Sequence, residues 1–365
     1  MKKVKLEEVC DKESSNIAQK DLESNIGEYP VYGASGLIKK IDFYKQKKDY
    51  IAIVKDGAGV GRIMLLPAYS SVIGTMQYII PNEKVDIRYL SCVLTWMDLS
   101  KYCTGATIPH IYFKDYKDET FNLPSLEEQK EIADRLDKVS SLIEKRKTQL
   151  SKLDQLIKSR FIEMFGNAVN KLPTGEICNV VGGYSFKSGD ISNDGAIKIL
   201  QIGNVYLDNV SWETINFLPE GYDEKYSKFM LNEGDIVVAL TRPIIQSLGN
   251  VKACIVKSSD LPCLLNQRVG RIIAKNANAV FLEFIYGCLM TDNFTRYVES
   301  CSSGCSQPNI STKDIENYLI PNATYEEQKA YVEFKKQTDK SKLAIQKSIE
   351  KLETLKKSLM QQYFG

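Results

Sequence analysis

The chain has 365 residues, of which 26% are charged and 43% hydrophobic, and its formal net charge is only +2. This composition is typical of a globular protein with two or three domains, and so weak a charge does not by itself indicate a nucleic-acid binder. No apolar run approaches the ~20 residues of a membrane helix, and the N-terminus lacks the apolar core of a signal peptide, so we expect a cytoplasmic protein.

The first part of the chain, residues 1–122, has the pattern of a mixed α/β module. Apolar runs rich in β-branched and aromatic residues predict strands at 50–56, 62–66 and 77–81. A helical stretch follows at 86–102. The order of strands, helix and a glycine-containing loop is therefore expected for this module.

Three glycines, Gly57, Gly59 and Gly61, follow the first strand in the sequence IAIVKDGAGVGRI (51–63). A dinucleotide-binding loop needs G-x-G-x-x-G followed by a helix, because the helix N-terminus holds the pyrophosphate. Here the third glycine comes one position early, and an apolar run ended by Pro67 follows. The pattern favours a turn between two strands, with a nucleotide or methyl-donor loop as the alternative.

A long helix is predicted over residues 123–166. Apolar side chains occupy most of its heptad positions, with Arg146 and Arg160 as exceptions, which is typical of a coiled-coil seam. The apolar seam residues are Ile132, Leu136, Val139, Ile143, Leu150, Leu153, Ile157 and Met164.

The second globular part, residues 167–320, predicts strands at 196–202, 235–240 and 251–256 and a helical stretch at 279–298. A second long helix is predicted over 321–365. Its seam residues are Ile345, Ile349, Leu352, Leu359 and Tyr363, and the seam is interrupted by Lys335, Lys342 and Lys356.

The two halves of the chain are related by an internal sequence repeat. Residues 126–166 align without a gap to residues 325–365, and 11 of these 41 positions are identical. GATIPHIYFKD (105–115) also matches GCSQPNISTKD (304–314) at the same offset. We predict an α+β fold of two mixed α/β domains joined by two long helices, each ~60 Å long. These would form an antiparallel coiled coil with a pseudo-twofold axis, or two independent amphipathic helices, each packed on its own domain.

Residues suited to catalysis or metal binding are scarce. The nine cysteines include no Cys-x-x-Cys pair, which favours reduced, mostly buried thiols over disulfides or a zinc site. His110 is the single histidine and is expected in a packing or hydrogen-bonding role. Walker, H-E-x-x-H, G-x-S-x-G and N/D-P-P-Y/F motifs are all missing from the sequence. We therefore predict no catalytic residue, no metal ligand and no cofactor in this chain.

Polar and aromatic side chains in the loops of both halves are suited to reading DNA, because Arg, Gln and Asn pair with base edges and Lys and Ser contact phosphates. The candidates in the first half are Tyr32, Ser35, Lys39, Lys40, Lys55, Arg62, Thr75, Gln77 and Tyr78. Those in the second half are Tyr184, Ser185, Lys187, Thr241, Arg242, Asn266, Gln267 and Arg268. Since residues 167–320 carry 13 basic and 16 acidic side chains, contact there must depend on local clusters.

The sequence resembles the DNA-specificity subunit of type I restriction-modification enzymes. The resemblance rests on a Leu/Ile-Pro dipeptide followed by E-E-Q-K at the start of each long helix, on the closing Phe-Gly and on the G-x-x-Q-P-N-I-S loop, all within a duplicated plan. GGYSFKSGD (182–190) is a further shared element, where the first half carries VYGASGLIKK (31–40).

The resemblance implies that 1–122 and 167–320 are target-recognition domains, each reading half of a bipartite, asymmetric DNA site with an unread spacer. It implies that the helices 123–166 and 321–365 set the spacing and bind two methyltransferase subunits, with restriction subunits joining the larger complex. S-adenosylmethionine, ATP and Mg would belong to those partners. A coiled-coil scaffold that does not bind DNA is the remaining alternative.

Overall fold

The computed structural model describes residues 2–105, 108–276, 278–301 and 309–365. Contacts divide the chain into two compact units, here called the first unit (Met1–Thr148 with Ile345–Gly365) and the second unit (Gln149–Ala344). Both combine short β-sheets with helices, so the predicted α+β class is confirmed. None of the helices in the described part of the chain is both long and apolar enough to cross a membrane.

The first unit begins with its sheets and ends in a long helix. Its strands are β1 Lys2–Lys5, β2 Cys10–Ser14, β3 Tyr29–Gly33, β4 Gly36–Ile41, β5 Tyr50–Val54, β6 Ile63–Leu66, β7 Ser71–Val72, β8 Met76–Pro81 and β9 Thr120–Leu123. Its helices are α1 Ile87–Met97, α2 Phe113–Tyr116 and the first part of α3 Leu126–Phe165.

Strand β5 lies at the centre of the first unit. It pairs with β6 and β8 in an antiparallel sheet of order β2-β8-β5-β6. One face, with Ile51 and Ile53, packs beneath α1, and the other face, with Tyr50 and Ala52, packs against Tyr78. Because both faces are buried, the strand is apolar throughout, and this is why the sequence identified it.

The second unit contains the rest of α3 and the first part of α9. Its strands are β10 Lys171–Pro173, β11 Cys178–Gly182, β12 Ile197–Leu200, β13 Phe217–Leu218, β14 Ile236–Ala239, β15 Ile244–Ile245, β16 Asn250–Val251, β17 Ala253–Ile255, β18 Cys263–Leu265, β19 Val269–Ala274 and β20 Leu319–Pro321. Its helices are α4 Thr174–Ile177, α5 Tyr222–Lys225, α6 Leu282–Leu289, α7 Asp292–Cys301, α8 Thr312–Asn317 and α9 Tyr325–Phe364.

The sheets of the two units have the same topology. The antiparallel order β2-β8-β5-β6 of the first unit recurs as β11-β19-β14-β17 in the second. In the smaller sheet β4-β3-β7, β3 is antiparallel to β4 and parallel to β7, and β12 has the same relation to β13 and β18. The segment VYGASGLIKK (31–40) covers the end of β3 and most of β4, so it corresponds to the end of β12, the segment after it and β13, and not to GGYSFKSGD.

The repeated E-E-Q-K sequence has a structural role at the start of both long helices. Glu128 accepts a hydrogen bond from the backbone N–H of Ser125 (3.0 Å), and this bond lowers the pKa of the Glu128 carboxyl. Its neighbour Gln129 is fully buried and accepts from the backbone N–H of Asp86 (2.8 Å), the residue that caps α1. The same bonds recur in the second unit at positions 324, 327, 328 and 281. The motif therefore caps each long helix and ties it to its domain.

The two long helices run antiparallel in the second unit. The Phe161 ring lies 5.1 Å from the ring of Tyr331, and Asp154, two turns earlier in α3, forms an ion pair with Lys342, three turns later in α9. This ion pair accounts for a lysine in the predicted apolar seam. In the first unit the hydroxyl of Tyr363 accepts a hydrogen bond from Arg135 (3.1 Å). Both helices contribute to both units, which contradicts the alternative of one helix packed on each domain.

The predicted seam residues are all withdrawn from solvent to some degree. Leu136, Val139, Ile143 and Ile349 are buried. The half-buried members are Ile132, Leu150, Leu153, Ile157, Met164, Ile345, Leu352, Leu359 and Tyr363. A partner subunit would therefore have to contact other faces of these helices.

Gly287 permits the close approach of α6 to α3 in the second unit. A Cβ atom at this position would lie 2.6 Å from the Phe161 ring, which is itself packed among Phe165, Phe284 and Tyr331. Gly287→Ala is expected to destabilise the unit by about 1–3 kcal/mol through overpacking, as measured by urea unfolding. Gly189→Ala, where a Cβ meets no atom within 4 Å, is the control.

The cysteines have the buried, reduced character expected from the sequence. The eight in the described part of the chain are all free, and five of them are buried. Burial raises the pKa of Cys10, Cys178, Cys254 and Cys263 to about 12, so these thiols stay protonated and unreactive at neutral pH.

Candidate nucleic-acid interface

Three loops of the second unit meet at one end of its main sheet. The backbone N–H of Gln267 donates to the carbonyl of Tyr184 (2.8 Å), and the N–H of Leu240 donates to the carbonyl of Arg268 (2.8 Å). These bonds bring together most of the DNA-contact residues predicted for this half. We call this set the second-unit loop surface: Tyr184, Thr241, Arg242, Gln267 and Arg268. Asn266, also predicted to contact DNA, lies in the same loops but is buried, at 8% exposure.

Two arginines on this surface have strained backbones. Arg242 and Arg268 have positive φ angles of 48° and 69°, a left-handed conformation that costs a residue with a Cβ roughly 1–2 kcal/mol. Both side chains are exposed, and neither guanidinium has a bonding partner in the part of the chain that the structure describes. Their donors are therefore available to a ligand that carries acceptors in a plane, such as phosphate or the edge of guanine.

The strained arginines correspond to defined positions in the first unit. The N–H of Ile111 donates to the carbonyl of Lys55 (2.9 Å), and the N–H of Ile310 donates in the same way to Leu240 (2.8 Å). Lys55 and Leu240 therefore correspond, and so do the residues two positions after them, Gly57 and Arg242. Gly57 also has a positive φ (84°). The N–H of Lys55 donates to the carbonyl of Thr75, and the N–H of Leu240 donates in the same way to the carbonyl of Arg268. Thr75 and Arg268 therefore occupy corresponding positions.

A cavity of about 470 Å³ adjoins the second-unit loop surface. Gln201, Asn204, Gln267 and Arg268 are among its lining residues. The Asn204 amide is occupied by the carbonyls of Ser211 and Thr214, so it shapes the cavity and cannot read a base. The sequence analysis missed this loop because it did not align β12 with β3, although it had selected Ser35 at the corresponding turn.

An aromatic cluster surrounds Tyr184. The Tyr184 ring is 38% exposed and lies 4.7 Å from the ring of Tyr226. A hydrogen bond with the Tyr226 side chain raises the pKa of the Tyr184 hydroxyl, so this phenol stays neutral. The Lys225 ammonium lies 5.2 Å from the centre of the Tyr226 ring. Lys225 and Tyr226 were not among the residues predicted from the sequence, although exposed aromatic rings beside a lysine can stack on bases.

Ser185 and Lys187, the remaining candidates of this half, follow Tyr184 directly and are both exposed. Lys187 precedes a short 3₁₀ helix, Ser188–Asp190. The basic side chains of these loops are thus Lys187, Lys225, Arg242 and Arg268, in a segment with 13 basic and 16 acidic side chains.

The first unit has a corresponding group of loops. Arg62 Nη1 donates to the carbonyl of Ala34 (2.6 Å), and Lys55 and Asp56 both donate backbone N–H bonds to the carbonyl of Thr75. Ser35, Arg62 and Thr75 are exposed here. The Lys55 ammonium lies 2.6 Å from the Asp56 carboxylate, which neutralises it and reduces its value as a phosphate contact.

The glycine turn in the first unit joins β5 to β6 and holds no nucleotide loop. Gly57, Gly59 and Gly61 have φ angles of 84°, 89° and 85°, which explains the choice of glycine. The N–H of Gly57 donates to Pro109 and that of Gly61 to Val54, so these amides are not free to bind phosphate. The next element is a strand, as predicted, and the alternative of a cofactor loop finds no support.

Several predicted DNA contacts are withdrawn from solvent or occupied. Gln77 and Tyr78 are buried at 1% exposure, and the Gln77 amide bonds the Tyr116 hydroxyl inside the unit, so neither can meet DNA in this fold. The Lys39 ammonium donates to the carbonyl of Leu22 (2.5 Å). Tyr32 is half-buried, and Lys40 is exposed on β4. The prediction failed for Gln77 and Tyr78 because β8 is buried on both faces, which polar residues in its sequence do not reveal.

No cluster of three or more potential metal ligands occurs among the residues that the structure describes. The His110 backbone bridges Thr104 and Asp56, and its ring nitrogen Nδ1 lies 3.1 Å from the carbonyl of Ile108. The histidine thus has the structural role that the sequence predicted. The side chains of the loops described above are suited to binding a ligand through hydrogen bonds, aromatic stacking and charge.

Residues 1–155 and 169–356 match the family described as "Type I restriction modification DNA specificity domain". The chain belongs to this family. It is 34% identical over 332 residues to the type I restriction enzyme MjaVIII specificity subunit of Methanocaldococcus jannaschii, covering 85% of this chain and 77% of that one. The predicted family and the non-catalytic role of a specificity subunit are thereby confirmed.

One further relative agrees in family, and one solved structure agrees in fold. The Escherichia coli EcoAI specificity subunit is 35% identical over 148 residues, which are 40% of this chain and 24% of that protein. The fold matches the crystal structure of the S subunit of a type I restriction-modification system from M. genitalium with a TM-score of 0.62 at 17% identity. That match covers 100% of this chain and 96% of the other.

Proposed function

We propose that this chain directs a type I restriction-modification complex to a split DNA site and that each unit reads one half of it. The observation that carries the proposal is the group of loops that recurs on the same sheet topology in both units with different side chains. Arg242 and Arg268 stand where the first unit has Gly57 and Thr75. Different donors on one scaffold read different bases, so we expect the two half-sites to differ.

The proposed domain boundaries follow from the same repeat. Residues 1–122 and 167–320 would be the recognition domains, and 123–166 and 321–365 the connecting helices. The proposed partners are double-stranded DNA, two methyltransferase subunits and, in the full complex, restriction subunits. The name of the M. jannaschii relative, a restriction enzyme specificity subunit, supports this assignment. S-adenosylmethionine, ATP and Mg would be bound by the partners.

The proposal is tested by the methylation pattern that the chain produces. The chain is expressed with its cognate methyltransferase subunit in a host that lacks both, and modified bases are mapped across the genome. One asymmetric, interrupted motif is expected, and it should disappear when this chain is left out. A continuous motif, or no methylation with both subunits present, would contradict the proposal and favour a scaffold.

A further inference from the structure

Two of the lysines that interrupt the apolar seam of α9 lie in the second unit. In the alignment of the two long helices, Lys335 and Lys342 correspond to Leu136 and Ile143 of α3. The leucine and the isoleucine are buried in the first unit, whereas the two lysines are half-buried in the second. The second unit therefore keeps charge where the first unit packs hydrocarbon, and neither lysine belongs to the proposed DNA interface.

Both lysines line a cavity of about 310 Å³ between α3, α6 and α9. Its volume lies at the lower end of the roughly 300–1,000 Å³ of small-molecule pockets. Leu207 and Asp208, which also line it, belong to the segment that joins β12 to β13. In the first unit the corresponding strands, β3 and β4, are joined by Ala34 and Ser35 alone. The wall that Leu207 and Asp208 form is thus particular to the second unit.

Aromatic side chains form the buried part of the cavity wall. Phe161, Tyr286 and Tyr331 all line the cavity and are buried, and Met290 beside them is half-buried. Such a wall favours an apolar ligand, because burying hydrocarbon surface is favourable. The faces of aromatic rings also attract a positive charge within about 6 Å of the ring centre.

Three carboxylates and two ammonium groups share the polar part of the lining. Lys342 forms an ion pair with Asp154, and Lys335 forms one with Asp339 (2.6 Å). Burial lowers the pKa of Lys342, but the bond to Asp154 and the charges of the other two carboxylates outweigh this and raise it, so this ammonium group stays charged. With each lysine paired to one carboxylate, the third carboxylate, Asp208, is in excess.

Asp208 is held in place by the protein but has no ion-pair partner within the described ranges. Its backbone has a positive φ of 64°, and its carboxylate accepts a hydrogen bond from the Tyr286 hydroxyl (2.5 Å). Burial and the charge of Asp208 raise the pKa of this hydroxyl, so it remains a donor. Lys158, the remaining lysine of the lining, is paired with Asp292 (2.8 Å). One fixed carboxylate thus stands beside the aromatic wall.

We infer that this cavity binds a small organic cation, an amine with an aromatic or similarly apolar body. The ammonium group of the ligand pairs with Asp208, and its body packs against Phe161, Tyr331 and Met290. The occupant stabilises the second unit, because three helices and the segment between β12 and β13 all contribute to the wall. The cavity shares no lining residue with the second-unit loop surface, so this binding is distinct from DNA recognition.

Tryptamine and indole-3-propionate are the probes, because they carry the same ring and linker and differ in the charge at the end of the side chain. Binding to the purified chain is measured by isothermal titration calorimetry, with the thermal unfolding midpoint as a second readout. Tryptamine should bind at a single site and raise the midpoint. Indole-3-propionate should bind at least about tenfold more weakly, because it lacks the charged donor for Asp208.

Three variants locate the site. Asp208→Asn removes the charge but keeps an oxygen that accepts from Tyr286, and asparagine tolerates the left-handed backbone; it should weaken tryptamine binding about tenfold or more. Met290→Trp fills the cavity and should prevent tryptamine binding. Asp223→Asn, which removes an exposed carboxylate of α5 outside the cavity, is the matched control and should bind tryptamine like the wild type.

The inference would be overturned if tryptamine did not bind the wild-type chain, if both probes bound equally well, or if Asp208→Asn bound tryptamine like the wild type. The circular dichroism spectrum and urea midpoint of each variant should match the wild type. If Asp208→Asn proved unstable, Met290→Trp would decide: loss of tryptamine binding supports the cavity, and unchanged binding places the amine elsewhere.

Discussion

Replacing Arg242 with Gly is expected to weaken binding of the target duplex about 5- to 150-fold without lowering the stability of the protein. The loss corresponds to the ~1–3 kcal/mol of one good bidentate contact. Glycine relieves roughly 1–2 kcal/mol of left-handed strain, offset in part by the ~0.5–1 kcal/mol of freedom that it adds to the unfolded chain. Affinity is measured by fluorescence anisotropy on the complex with methyltransferase, and stability by urea unfolding.

Two control variants test whether the loss of affinity comes from the Arg242 side chain itself and not from backbone strain or from net charge. Arg242→Ala removes the guanidinium but keeps the strained backbone, so it should lose affinity equally without any gain in stability. Arg296→Ala removes an exposed positive charge from α7, outside the loop surface, and should change affinity less than threefold. The assignment of Arg242 would be wrong if the glycine variant bound the duplex like the wild type.

Gln129→Leu is expected to destabilise the first unit by about 2–4 kcal/mol. The buried amide of Gln129 accepts from Asp86 N–H and donates to the carbonyls of Lys84 (3.2 Å) and Pro124 (2.9 Å). A leucine would leave these backbone groups without partners, and each such group costs about 1–3 kcal/mol when buried. The urea midpoint of the assembled chain measures the loss.

Lys130→Leu, at the exposed neighbouring position, is the matched control and should stay within about 0.5 kcal/mol of the wild type. Gln328→Leu repeats the change in the second unit, where the amide accepts from Phe281 N–H (3.1 Å) and donates to the carbonyl of Ala323 (3.0 Å). With fewer bonds at stake, its effect should be smaller. Equal midpoints for Gln129→Leu and Lys130→Leu would show that the buried bonds do not hold the helix to its domain.

The elements with a strong periodic or apolar signal could be predicted from the sequence. The two long helices begin and end within a few residues of the predicted ranges, and β5 and β14 lie inside the predicted strands 50–56 and 235–240. Their signals are local: heptad spacing for the helices and continuous apolar runs for strands buried on both faces. Short strands such as β7 and β15, with two residues each, carry no such signal.

For the proposed DNA contacts, the sequence indicated which residues lie in loops but not which strand residues are exposed. Arg242, Gln267 and Arg268 were selected because polar residues interrupt apolar runs where a strand ends, and the structure places all three in exposed loops. Gln77 and Tyr78 are neighbours on β8, whose first four residues are all buried because both faces of the strand are covered, so a polar residue there is not exposed. The left-handed backbone at Arg242 could not be predicted from the sequence. Glycine is the usual residue at positive φ, and an arginine at this position gives no such indication.

The first unit is assembled from both ends of the chain, and this affects the order in which the protein can fold during synthesis. Gln149–Ala344 is continuous and can complete its core once those residues have left the ribosome. The first unit, although made earlier, must wait for Ile345–Gly365, because Phe364 packs against Tyr89 (5.4 Å between ring centres). A premature stop codon near the end of the message would therefore leave the first unit incomplete, although it is translated first, and would leave the second unit intact.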